Sequence, residues 1–195
     1  MKKSLIALVL MTFAATAALA YPGPDSMGIY MVDDAVGPVD TCIDLEAFAQ
    51  VTLYMCLTNP SGDQVLAWEA NVTKPAAGLF GAWTLVSGIN VSADPDFIVG
   101  LGDAPLTPNE QGVVVLMTMD ALVMDASVPL SFYIDGVEGS VSFPNGNPGY
   151  QAVLGFMTDA MSSTGGPETP VFTINGPCEV ANENAAWGSV KSLYR

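Results

Sequence analysis

The residue types that could do chemistry in this chain are its carboxylates and its thiols, because histidine is absent altogether. That absence removes the commonest general base and the commonest transition-metal ligand. A Ser-His-Asp or Cys-His constellation cannot be assembled from this chain alone. Carboxylate pairs remain: Asp33 with Asp34, Asp94 with Asp96, and Asp120 with Asp125. Two suitably spaced carboxyl groups can hydrolyse a glycoside. All six sit at expected strand ends or turns, where Asp caps backbone N–H groups, and nothing selects one pair over the others. Asp94-Pro95-Asp96 and the Asp33–Asp44 loop could supply hard oxygen ligands to a structural calcium ion, although no D-x-[DN]-x-[DN]-G loop is present. The reading is therefore no catalytic residues, no cofactor, and at most calcium.

The thiols are three, Cys42, Cys56 and Cys178. In an exported chain this number suggests one disulfide and one remaining thiol. Cys56 falls mid-strand, where a reduced cysteine behaves as a small buried hydrophobe. Cys42 and Cys178 lie in loop-like sequence near the two ends of the domain, and their pairing is favoured. In the chain-entropy model a loop that long contributes about 4–5 kcal/mol, against about 3 kcal/mol for Cys42–Cys56. Geometry can veto either pairing, so both stay open.

Export is read from the first twenty residues. Lys2 and Lys3 precede an apolar run from Leu5, and Ala18-Leu19-Ala20 is a small-x-small cleavage site, which predicts a signal peptide over 1–20 cut between Ala20 and Tyr21. The apolar run is short for a membrane anchor, and no later stretch is apolar enough to span. Cleavage leaves Lys74, Lys191 and Arg195 against twenty acidic residues, a net charge of −17. A field of that sign repels phosphate backbones and anionic lipids, which argues against nucleic acid and peripheral membranes as partners. The expected location is secreted, periplasmic or cell-surface.

What remains must position any site on strands. After a linker over 21–26, Val51 to Val72 reads as strand, turn and returning strand, a hairpin around Asn59-Pro60-Ser61-Gly62. Leu53, Met55 and Leu57 alternate with Tyr54 and Cys56, and Trp68, Ala70 and Val72 with Glu69 and Asn71. Further strands are predicted at 27–32, 82–86, 89–91, 97–101, 130–134, 151–157 and 171–174. Val113 to Met119 is apolar throughout, as for a central strand. A second hairpin is predicted across Asp135-Gly136 into 137–143. About ten short strands with frequent turn signals predict an all-β fold over 27–178, an antiparallel, immunoglobulin-like or cohesin-like β-sandwich. The tail, 179–195, carries Trp187, Val190, Lys191 and Tyr194 at helical spacing. It predicts either a short helical turn docked on the sandwich edge or a recognition tail, with Trp187, Lys191, Tyr194 and Arg195 as its readable residues.

The strand-turn-strand VTLYMCLTNPSGDQVLAWEANV and its surroundings, from Val51 to Phe143, resemble the cohesin and carbohydrate-binding-module kind of sandwich. The wider layout, from GIY strand to WGSVKSLYR tail, resembles uncharacterised secreted proteins of environmental bacteria. The resemblance implies a fold and supplies no site residues. If sugar rings are bound, they need flat aromatic faces, and Tyr54 and Trp83 are the best candidates for stacking. The chain reads as a non-enzymatic binding or structural module for an extracellular protein or cell-surface partner. A carbohydrate-binding module is the alternative, and a carboxylate-only glycosidase trails both.

Overall fold

The computed structural model describes residues 23–31 and 41–178. Signal peptide, cleavage site and tail therefore lie outside the described residues, as do Asp33 and Asp34. Among the described residues, fourteen strands, numbered in chain order, form two sheets. The first contains β1 (Ser26–Tyr30), β3 (Gln50–Thr58), β5 (Leu79–Phe80), β6 (Thr84–Leu85), β9 (Val113–Leu122) and β13 (Met161–Ser162). Its order is β13-β1-β3-β9-β5, with β6 also beside β9. The second contains β2 (Cys42–Ile43), β4 (Ala67–Thr73), β7 (Ile89–Asn90), β8 (Asp96–Gly100), β10 (Leu130–Asp135), β11 (Gly149–Val153), β12 (Phe156–Asp159) and β14 (Phe172–Ile174). Its order is β12-β11-β4-β10-β14-β2, with β8 and then β7 off β4. The fold is an all-β sandwich.

The two strands around Asn59-Pro60-Ser61-Gly62 exist, but they do not pair. β3 pairs with β1 and β9 in one sheet, whereas β4 pairs with β8, β10 and β11 in the other. The expected hairpin is an arch that carries the chain from sheet to sheet. Leu53, Met55 and Leu57 face Trp68, Ala70 and Val72 across a single core in which all six are buried. An alternating apolar face looks the same whether its partner lies beside it or opposite it, because period two records only that one face is dry.

The arch is pinned by a polar cluster. The Tyr150 hydroxyl donates to Asp25 Oδ1, and the Ser61 amide donates to Asp25 Oδ1 at 2.7 Å and to the Tyr150 oxygen at 2.9 Å. Asp25 and Ser26, read above as linker, thus belong to the sandwich. Burial first, and then the hydrogen bond to the Asp25 carboxylate, push the Tyr150 phenol up to about 12. Below an unfolded value of about 10 both states keep the proton. Between the two values the unfolded chain loses it first, so stability falls as pH rises. Urea titrations across pH 9–12 should show this fall in the wild type, and the Tyr150→Phe difference curve should isolate it.

The second expected hairpin is also absent. β10 ends at Asp135, whose carboxylate accepts the Gly136 amide at 2.8 Å, and 137–143 forms no strand. Both β10 and β11 lie on the edge of β4 opposite β8, since Asn71 pairs with Asp135 and Asp96 while Glu69 pairs with Gly149 and Ile98. The intervening chain leaves at Gly136 and returns to it: a Cβ there would lie 2.4 Å from the Gly146 carbonyl oxygen. Val137 and Phe143 are buried on the way.

One closure lies far from the arch. Cys42 in β2 is disulfide-bonded to Cys178, with Cα atoms 5.1 Å apart, while Cys56 is reduced and buried. β2 pairs in parallel with β14, Thr173 opposite Cys42, so the bond staples both ends of the domain to one sheet edge.

Candidate binding surfaces

Cross-strand partners share a face, which sorts the candidate residues. Tyr54 stands opposite Tyr30 on β1 and Thr118 on β9, on the outer face of the six-stranded sheet. The second sheet does not cover it. It is half-buried against a small cluster of Tyr30, Cys56 and Val113. Gly28, opposite Cys56, leaves the space that the Tyr30 ring fills: a Cβ at Gly28 would fall 2.4 Å from the Tyr30 hydroxyl. Trp83, by contrast, is 9% exposed and part of the main core. It offers no flat face to a sugar, because the Gly81–Ala82 connection folds it inward against strand expectation.

One step along from Tyr54 the same face holds a groove of about 400 Å³ lined by Gln50, Thr52, Leu79, Phe80, Asp120 and Leu122. Thr52 Oγ1 donates to Asp120 Oδ1 at 2.8 Å. The groove joins one carboxylate and two polar side chains to an apolar wall, and Tyr54, two residues beyond Thr52 on the same strand face, is not among its lining residues.

The other carboxylates are occupied locally. Asp94 accepts the Lys74 ammonium, and Asp96 Oδ1 accepts Asn71 Nδ2 at 2.7 Å. Asp125 takes the Ser127 hydroxyl and amide, at 2.7 and 2.9 Å, which hold its carboxyl below the usual range. Among the described residues, no three acidic or cysteine side chains are grouped to hold a metal ion.

Glu69 escaped the sequence reading. It lies on the outer face of the eight-stranded sheet yet is 4% exposed, and its Oε1 has no hydrogen-bond partner. Its cover comes from the 137–147 excursion: Phe143 lies over Gly149, directly opposite Glu69, where an added Cβ would meet the ring at 2.1 Å. A buried carboxylate oxygen that has lost water without gaining a donor costs stability. Glu69→Leu should therefore raise unfolding free energy by about 1–2 kcal/mol in urea denaturation, without altering the near-ultraviolet spectrum.

The most exposed apolar surface is at the end of the eight-stranded sheet. Residues 151–157, predicted as one strand, instead turn back at Leu154-Gly155, where Gly155 has φ +85°. β12 is the terminal strand in that order, and the chain passes through buried Ala160 to β13, the terminal strand of the other sheet. Leu154 is 82% and Phe156 71% exposed, and Val153, Met157 and Met161 are at least half exposed. Five large apolar side chains thus crowd nine consecutive residues at these terminal strands. Single exposed hydrophobes are ordinary; five within one short stretch at the sheet ends make this a candidate interaction surface.

No known protein-family model matches the chain, and no curated protein does. Among solved structures, the chain is similar to a type II cohesin domain from the cellulosome of Acetivibrio cellulolyticus. The similarity covers 77% of this chain and 95% of that one, at 13% identity and a TM-score of 0.45. It is weak and concerns the sandwich alone. No helix among the described residues is long and apolar enough to cross a membrane.

Proposed function

We propose that the chain is an exported, non-enzymatic module that binds an extracellular or cell-surface protein through its β12–β13 edge. The carrying observation is the exposed apolar stretch of Val153, Leu154, Phe156, Met157 and Met161 on β11–β13, where β12 and β13 are terminal strands among the described residues. A free edge offers main-chain donors and acceptors to an incoming strand, and apolar side chains supply the burial that holds it. The absence of histidine and the local engagement of Asp94, Asp96 and Asp125 support a binding role over a catalytic one.

A carbohydrate-binding role is the second reading, favoured by the groove beside Tyr54, with Asp120 and Thr52 as polar contacts. The two separate by variant. The wild type, Leu154→Asp/Phe156→Asp and Thr52→Ala/Asp120→Ala are immobilised and presented to proteins secreted by the cell of origin and to a glycan array. Saturable protein binding lost only in the edge variant supports the first reading. Glycan binding lost only in the groove variant overturns it in favour of the second.

A further inference from the structure

The same strip can be matched to an occupant within this chain, an inference that rests on reading the edge as a docking surface. The described residues carry fifteen acidic side chains and one basic one, Lys74, which is already paired with Asp94. Such a body repels a second copy of itself and any acidic partner, and attracts a cationic segment. An occupant of the strip must therefore be both apolar and basic.

Residues 187–195, WGSVKSLYR, have that composition: Trp187, Val190, Leu193 and Tyr194 accompany Lys191 and Arg195. The segment also reaches. Seventeen residues follow Cys178, and fully extended they span roughly 55–60 Å. A domain of this size is only roughly 40 Å across, and Cys178 is fixed at the β2 edge by its disulfide. The eight residues between Cys178 and Trp187 span roughly 26–30 Å when extended, and β12 and β2 extend from β11 and β10, which share one edge of β4.

We propose that residues 187–195 dock on the strip formed by Leu154, Phe156, Met157 and Met161 of their own chain, capping the edge until a partner displaces them. The cap explains how a long apolar edge can persist on an exported protein, since uncovered edges template aggregation.

Limited trypsin digestion of the full chain tests this, because Lys191 lies inside the segment and is followed by Ser192, whereas Lys74 precedes Pro75 and resists trypsin. Cleavage after Lys191, followed by mass spectrometry, should be at least tenfold slower in the wild type than in Leu154→Asp/Phe156→Asp. Trp187→Ala/Tyr194→Ala, which leaves the domain untouched, should accelerate it equally. Far-ultraviolet circular dichroism reports folding and should not change. Equal Lys191 rates in all three proteins overturn the proposal, and protection that disappears on tenfold dilution overturns it in favour of exchange between copies. Partner binding is read separately from the immobilised variants, so the edge can fail as a tail site and still stand as a partner site.

Discussion

Cys42→Ser should lower the unfolding free energy by about 2–5 kcal/mol, and reduction of the wild type should lower it by a similar amount. The bond between Cys42 and Cys178 spans 136 residues of sequence, almost the whole sandwich. Opening it releases the unfolded chain from a large closed loop, the main source of the effect in the chain-entropy model. Structure adds a local loss. β2 has two residues and is held to β14 by parallel pairing at Thr173 and Ile174, too short to stay seated on hydrogen bonds alone. Urea denaturation of oxidised wild type, reduced wild type and Cys42→Ser/Cys178→Ser should place the last two together. Cys56→Ala, deep in the outer cluster, should behave differently: its cost comes from packing and is unaffected by reductant.

Trp68→Ala should cost about 3–5 kcal/mol, the range for deleting a fully buried large aromatic. Trp68 is 2% exposed and stacks on Phe97, with centroids 6.0 Å apart and planes 21° from parallel. It stands on β4, between β8 and β11, so the void opens beneath the middle of its sheet. Few neighbours can collapse into it, and cavity cost rises when the site cannot relax. Tyr54→Ala makes the contrast. Tyr54 is half-buried on an outer face, and its loss should fall near 1 kcal/mol. Thermal or urea unfolding of the two variants side by side checks both values.

The strands were legible because alternation marks a half-dry surface wherever it occurs, and the faces of Tyr54 and Trp68 followed from it. Which strands pair was not legible. The chain 59–66 serves as an arch because Val65 bridges Leu106 and the Ser61 amide reaches Asp25 and Tyr150, contacts 36 to 89 residues away that no local turn signal contains. Position favoured the Cys42–Cys178 pairing, but the choice over Cys42–Cys56 stayed open until the geometry made it. Glu69 sits where alternation puts a solvent-facing residue, and only Phe143, lying over Gly149, removes that solvent. Trp83 misled for the opposite reason, since a glycine-rich turn can aim a ring inward as readily as outward. The apolar strip hid inside a run, Val153-Leu154-Gly155-Phe156-Met157, that resembles a buried strand. Gly155 was the one local sign of the reversal that leaves it exposed.

The central claim is that partners meet this protein at the β12–β13 edge. It is tested most directly by placing a photo-crosslinking amino acid at Met157, and in a control protein at Ile89, which is equally apolar and 73% exposed on β7. After illumination in the cells that make the protein, position 157 should give a discrete higher-mass adduct that position 89 does not. Adducts from position 89 alone, or the same adducts from both, would contradict the account.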